Sequence, residues 1–222
     1  MTAIAPRVKI CGLTRLDDAE LAAELGAWAL GMVFYEPSPR RCSIDVARRI
    51  SRALRRRALL CGVFVNASLE EIEGHADDLG LALIQLHGDE GPAFCGEVAR
   101  RTGAQVSKAG QVAGPGDVRD LARFHVGYHL VDARSGVEAD ESLRGGTGQT
   151  FDWTLLTARR SGVPLILSGG LRPENAAAAV AAVHPFAVDT ASGTEAAPGR
   201  KDPDRLRGFF EAVREPVSAD AA

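Results

Sequence analysis

Apolar residues in this chain come in two patterns. Some form short, nearly unbroken runs; between these runs they recur every three or four positions. Leu59-Leu60-Cys61-Gly62-Val63-Phe64-Val65 and Pro164-Leu165-Ile166-Leu167-Ser168 are runs of the first kind. A strand that reads apolar throughout, without polar alternation, is covered on both faces, as in a parallel sheet. Eight such strands are predicted, over residues 7–12, 28–34, 59–65, 81–87, 105–112, 126–133, 164–170 and 186–193. The helix-period stretches between them begin near Leu16, Ser43, Ser68, Pro92, Pro115, Asp152 and Pro173, and a last one covers 202–214. Ser43 and Ser68 suit helix N-caps, with Glu71 placed to complete a capping box behind Ser68. Pro92, Pro173 and Pro203 fall where a first-turn proline loses no hydrogen bond.

Eight strand–helix units in 222 residues leave about 28 residues per unit, near the minimum for a β-α-β repeat. The pattern therefore predicts an α/β fold, a single (β/α)8 TIM barrel over residues 1–222 with a frayed tail at 215–222. A doubly wound open sheet uses the same units, but no GxGxxG follows the first strand, and eight is the barrel's number. Residues 134–150 are the one long connection without a period. With Gly136, Gly145, Gly146 and Gly148, they are expected to form a mobile loop over one face.

Composition narrows the function classes. A net charge of -3 offers no electrostatic footprint for nucleic acid or anionic lipid. The arginine runs at Arg48-Arg49 and Arg55-Arg56-Arg57 fit the solvated face of a helix. No apolar run reaches the length of a membrane span, and the first residues lack a signal-peptide core. Cys11, Cys42, Cys61 and Cys95 show neither a CxxC pair nor metal-ligand spacing. A cytoplasmic protein with reduced thiols, no metal and no cofactor is expected, as a monomer or homodimer without nucleic-acid or membrane partners.

In a barrel of this kind ligands bind at the C-terminal ends of the strands. Here polar and glycine residues close strand after strand: Lys9-Ile10-Cys11-Gly12, Gln85-Leu86-His87-Gly88-Asp89, Val131-Asp132, Ser168-Gly169-Gly170 and Asp189-Thr190-Ala191-Ser192-Gly193. Gly169, Gly170, Ser192 and Gly193, on the seventh and eighth loops, suit a phosphate, because glycines let amides approach an anion and a helix start carries partial positive charge. The expected partner is a small phosphorylated molecule. Cys11 ends the first strand and is placed to abstract a proton, whereas Cys42, Cys61 and Cys95 read as inert core thiols. Lys9 shares the face of Cys11, but the barrel interior is open to its ammonium, so no direct help to the thiol is expected. Asp132 ends the sixth strand and reads either as a turn residue or as a general acid. It lies three steps round the ring from Cys11. His87 has no second strand-end histidine with which to hold a metal. Arg40 and Arg41 lie on the second loop, where a guanidinium can meet a carboxylate.

Taken together, these strand ends resemble the phosphoribosylanthranilate isomerase family. The matching segments are Val8-Lys9-Ile10-Cys11-Gly12-Leu13-Thr14, Gly31-Met32-Val33-Phe34-Tyr35 with Ser38-Pro39-Arg40, Gly62-Val63-Phe64-Val65-Asn66, Gln85-Leu86-His87-Gly88-Asp89-Glu90, Gly145 to Trp153, Leu167-Ser168-Gly169-Gly170-Leu171, and Ser192-Gly193-Thr194-Glu195 with Pro198-Gly199 and Lys201-Asp202. The resemblance implies a cofactor-free Amadori rearrangement in tryptophan biosynthesis. It implies Cys11 as general base, Asp132 as general acid and Arg40 as partner of the anthranilate carboxylate. It further implies that His87 and Asp189 line the pocket and that Gly169, Gly170, Ser192 and Gly193 hold the phosphate. Similar proteins often carry a second hydroxyl residue before Ser192, where this chain has Ala191. Two alternatives stay open on the residues alone: another sugar-phosphate barrel of the ribulose-phosphate epimerase kind, and a phosphate-binding barrel without catalysis.

Overall fold

The structure is a computed structural model and describes residues 5–133 and 152–214. The connection expected over 134–150 and the tail expected over 215–222 lie outside the described residues. Eight parallel strands close into a barrel in sequence order: β1 (Arg7–Ile10), β2 (Ala29–Val33), β3 (Leu59–Phe64), β4 (Leu83–Leu86), β5 (Gln105–Val112), β6 (Tyr128–Ala133), β7 (Leu165–Leu167) and β8 (Ala187–Thr190). Closure joins β1 to β8, with Arg7 opposite Ala187 and Ile10 opposite Thr190. Around the barrel run α1 (Leu16–Glu24), α2 (Ile44–Leu54), α3 (Leu69–Leu79), α4 (Pro92–Thr102), α5 (Pro115–Leu121), α6 (Pro173–Val183) and α7 (Pro203–Arg214).

The helix starts follow local chemistry. Ser43 accepts from the Val46 amide and Ser68 from the Glu71 amide. Pro92, Pro115 and Pro173 occupy the first turns of α4, α5 and α6. One expectation needs correction. The segment after Asp152 is a short 3-10 helix (Trp153–Ala158) and not an α-helix, although the Asp152 side chain caps it by accepting from Thr154. Gly162 and Pro164 follow within a few residues and leave too little chain for a longer helix. A small antiparallel hairpin after β8, β9 (Glu195–Ala197) with β10 (Arg200–Lys201), was not foreseen.

Alternation within each strand creates two interiors. Outward residues such as Ile10, Leu30, Phe64, Leu86, Val131 and Val188 pack beneath the helices. Inward residues Ala29, Cys61, Leu83, Leu130, Ile166 and Ala187 fill the barrel. Each large aliphatic side chain buried this way contributes about 1.5–3 kcal/mol. At the N-terminal mouth, Trp28, Tyr128 and Phe186 close the barrel with ring centroids 5.3–5.5 Å apart. At the other end the strands stop sooner than the apolar runs suggest. Gly12, Gly169 and Gly170 take left-handed φ values of 74°, 87° and 62°, which break the ladder and turn the chain into loops.

Gly31 on β2 is required by packing. A Cβ there would stand 2.9 Å from Cys11 Sγ and 3.1 Å from Cys11 Cα, and the backbone contact cannot be relieved by a rotamer change. Gly31→Ala is expected to destabilise the fold by about 1–3 kcal/mol, seen as a lower urea midpoint at unchanged slope. An unaltered midpoint would contradict this packing.

Candidate active site

The shortened strand ends leave a pocket at the C-terminal face of the barrel. Cys11, Arg40, His87, Asp132, Gly169, Gly170, Asp189 and Ser192 all line it. Of the residues expected to bind phosphate, Gly193 alone is not on this wall. It shares an adjoining hollow with Gly170, Ser192 and Arg205, and a Cβ on it would stand 1.9 Å from the Leu171 carbonyl oxygen, so it lets the loop after β8 press against the loop after β7. Thr190 Oγ1 donates to that same carbonyl at 2.7 Å and ties the two loops together.

The thiol and the carboxyl enter from strands three steps apart on the ring. Cys11 is 7% exposed and Asp132 5%. The Cys11 amide donates to Thr190 O at 2.9 Å, which fixes the end of β1 against β8. Burial pushes the Cys11 thiol up, and Lys9 pulls it back in part. Cys42 and Cys61 are pushed up to about 12 and Cys95 to about 11 by burial, in keeping with inert core thiols.

His87 follows β4 and faces Asp132, with Nε2 3.7 Å from its Oδ2. Gln85 Nε2 lies 2.9 Å from His87 Nδ1. With the amide donating, Nδ1 accepts, and the ring proton sits on Nε2. Burial, aided by the positive charge of Lys9, pulls the imidazole down to about 4, so it is uncharged near neutrality. The turn beneath it is held by Glu90, whose carboxylate accepts from the Asn66 and Gly88 amides at 2.8 Å each and pairs with Lys108 at 2.6 Å.

Arg40 projects from the second loop and is already paired. Its Nε lies 3.0 and 3.1 Å from the Glu195 oxygens and its Nη2 2.9 Å from Oε2. Nη1 takes no part in that fork. Glu195, on β9, also receives the Gly199 amide at 3.2 Å and Lys201 Nζ at 3.3 Å, and Lys201 donates to Ala191 O at 2.8 Å. A single buried carboxylate thus links the arginine loop to the loop carrying Ser192. Glu195 and Lys201 stand inside a segment that resembles the family, but spacing alone gave them no role.

Asp189 lines the pocket, but its carboxylate is engaged from within the barrel. Lys9 Nζ lies 2.8 Å from Oδ1 and Ser168 Oγ donates to Oδ2 at 3.2 Å. A lysine in the middle of an apolar strand covered on both faces must find an opposite charge, so this pairing had a sequence signal in Val8-Lys9-Ile10 and Val188-Asp189-Thr190. Among the described residues, no group of three or more His, Cys, Asp and Glu side chains is gathered as a metal site. No described helix is long and apolar enough to cross a membrane.

The family described as N-(5'phosphoribosyl)anthranilate (PRA) isomerase matches residues 8–212. A relative from Citrifermentans bemidjiense, an N-(5'-phosphoribosyl)anthranilate isomerase, is 47% identical over 201 residues, covering 90% of this chain and 93% of its own. The crystal structure of phosphoribosyl anthranilate isomerase from Thermotoga maritima superposes with a TM-score of 0.84 at 42% identity, over 94% of this chain and 98% of that one. A further isomerase structure, in complex with reduced 1-(o-carboxyphenylamino)-1-deoxyribulose 5-phosphate, matches with a TM-score of 0.80 at 40% identity, over 94% and 98% of the two chains. The chain belongs to the N-(5'-phosphoribosyl)anthranilate isomerase family.

Proposed function

We propose that this enzyme, an isomerase of tryptophan biosynthesis, rearranges N-(5'-phosphoribosyl)anthranilate to 1-(2-carboxyphenylamino)-1-deoxyribulose 5-phosphate by acid–base catalysis between Asp132 and Cys11. One observation carries the proposal. The thiol of β1 and the carboxyl of β6 line the same pocket, whose rim also holds the glycine loops after β7 and β8 and the guanidinium of Arg40. The ligand named for a relative, with a phosphate at one end and an aryl carboxylate at the other, fits that distribution of groups.

The chemistry then runs in four proton transfers. Asp132, as the acid, protonates the furanose ring oxygen, and the bond from that oxygen to C1 breaks to give an open-chain imine. Cys11, as thiolate, takes the C2 proton, and the released electron pair forms the enolamine. The enol oxygen returns a proton to the Asp132 carboxylate and C1 takes the proton held by the Cys11 thiol, which completes the aminoketose and restores both groups. His87 offers an uncharged N–H beside the acid. The Gly169, Gly170 and Ser192 loops hold the phosphate, and this anchoring of a remote group orients the reacting carbons. Nη1 of Arg40 meets the anthranilate carboxylate while Glu195 holds the rest of the fork. A cytoplasmic location is inferred with this function, and the four buried free thiols suit it.

Loss of substrate fluorescence on turnover provides the assay. Cys11→Ala and Asp132→Asn are each expected to lower kcat by about 10²–10⁴-fold with the fold intact; near-normal kcat in either would remove that residue from the mechanism. Arg40→Ala removes a charge-assisted contact to the ground-state substrate and is expected to raise KM by about 10- to 100-fold. A loss confined to kcat would contradict the assignment. Because the base is the ionised thiol, and burial pushes that thiol up, kcat/KM is expected to increase from pH 6 to pH 8, with no separate step from His87, which is already uncharged there. A flat profile would argue against a thiolate base. Turnover is also expected to survive excess chelator, and an activity restored only by a divalent ion would defeat the metal-free scheme.

A further inference from the structure

Lys9 has no exposed surface. An ammonium at that depth costs several kcal/mol unless it is paired. The pair is supplied by strand register, which sets Lys9 opposite Asp189 across the seam between β1 and β8. Ser168 holds the far oxygen of that carboxylate. The surrounding inward residues, among them Ala29, Cys61, Leu83 and Ala187, are apolar. A buried ion pair in such a setting stabilises a fold no better than apolar side chains of similar size, so stability does not explain its presence. Cys11 follows two residues later on the same strand and so projects to the same side, one layer nearer the pocket. Gly31 makes room for the Cys11 sulfur, which packs where a Cβ would stand.

We propose that Lys9 is a positioning residue for the rearrangement, the buried countercharge that stabilises the Cys11 thiolate from inside the barrel while substrate occupies the pocket above. The proposal rests on the reading of Cys11 as the base. Of the two charges of the pair, the cation acts on the thiol more strongly than the carboxylate does: burial raises the thiol, Lys9 lowers it, and Asp189 offsets Lys9 only in part. Burial also works against the ammonium itself, but Asp189 reverses that effect and keeps Lys9 protonated.

The other groups facing the sulfur are Cys61 from β3 and Lys201 from β10. Lys201 is committed to Glu195 and the Ala191 carbonyl, and burial lowers its pKa. Across the pocket stand Asp132 and the uncharged His87, with Arg40 held by Glu195. When the C2–H bond breaks, the proton passes to sulfur and the electron pair moves into the C1–C2 bond of the enolamine. Lys9 keeps its proton throughout.

The test removes both charges of the pair at once. Lys9→Gln with Asp189→Asn keeps two groups able to hydrogen-bond and leaves no unpaired buried ion. Followed at the Cys11 peptide, alkylation by iodoacetamide is expected to have its midpoint raised by about one pH unit, which makes it about tenfold slower at any pH well below both midpoints. The kcat–pH profile is expected to move in parallel. Unmoved midpoints with a uniformly lower kcat, the result of a merely structural pair, would overturn the proposal. Should the double variant fail to fold, the unmutated enzyme supplies a second measurement. By NMR, the Lys9 Nζ nitrogen resonance is expected to step at the pH where Cys11 alkylation has its midpoint, and to lose that step in Cys11→Ala. A resonance without the step overturns the proposal equally. Full turnover by Cys11→Ala would instead remove the base assignment, so the two failures are told apart.

Discussion

The first and last strands of the barrel meet along one ladder, and every group that gives this pocket its chemistry depends on that closure. Residues 180 positions apart in sequence, Lys9 and Asp189, come within 2.8 Å because β1 and β8 are neighbours. The same seam fixes the Cys11 amide to Thr190. It also places the loop after β8 beside Cys11. Breaking one side of a buried ion pair is costly, typically about 3–5 kcal/mol, because the remaining charge has no solvent. Closure therefore specifies register as well as topology. A one-residue slip would turn Lys9 toward the helices and Ile10 into the barrel.

The charged groups around the pocket are held in advance by one another. Glu195 grips Arg40 through two nitrogens and receives Lys201, and Glu90 with Lys108 fixes the turn that carries His87. Such pairing takes conformational entropy out of long side chains before the substrate arrives, so less is lost on binding. It also keeps the rim from presenting a large net charge. On the proposed binding mode, an anionic substrate then meets specific N–H groups at its two ends, not a diffuse positive field that would accept any phosphate.

Much of this was legible in the sequence. The eight apolar runs predicted the eight strands because a strand covered on both faces has no polar alternation to obscure it. The residues that close those runs predicted Cys11, Asp132 and His87 on one rim. Structure outside regular elements was harder to read. Asp152 is a sound helix cap, and only the nearness of Gly162 and Pro164 limits the capped segment to a 3-10 turn. The hairpin that carries Glu195 and Lys201 is two and three residues per strand, below the length at which alternation is recognisable. Gly193 is a glycine that packing also demands, a requirement that depends on which backbone lies behind it. Lys9 had a clear signal, a charge inside an apolar strand, which opened the barrel interior to its ammonium. Its partner was already named in the pocket, but only register shows that the two face each other.

An acid and a base that must work together at one pH need environments that separate their protonation states. The two sides of this pocket differ in that respect. On the β1 side a cation with no exposed surface lies beneath the thiol, held there by Asp189, so negative charge on sulfur has a fixed partner. On the β6 side the neighbour 3.7 Å from the carboxyl is an imidazole kept uncharged by burial, which can donate a hydrogen but supplies no countercharge. The asymmetry follows from which strand carries the lysine. Moved to β6, the same lysine would favour a carboxylate where an acid is needed and leave the thiol without a counterion. On the proposed roles, a charge inside β1 accounts for Cys11 as the base and Asp132 as the acid, an assignment that their positions on the ring alone would allow to be reversed.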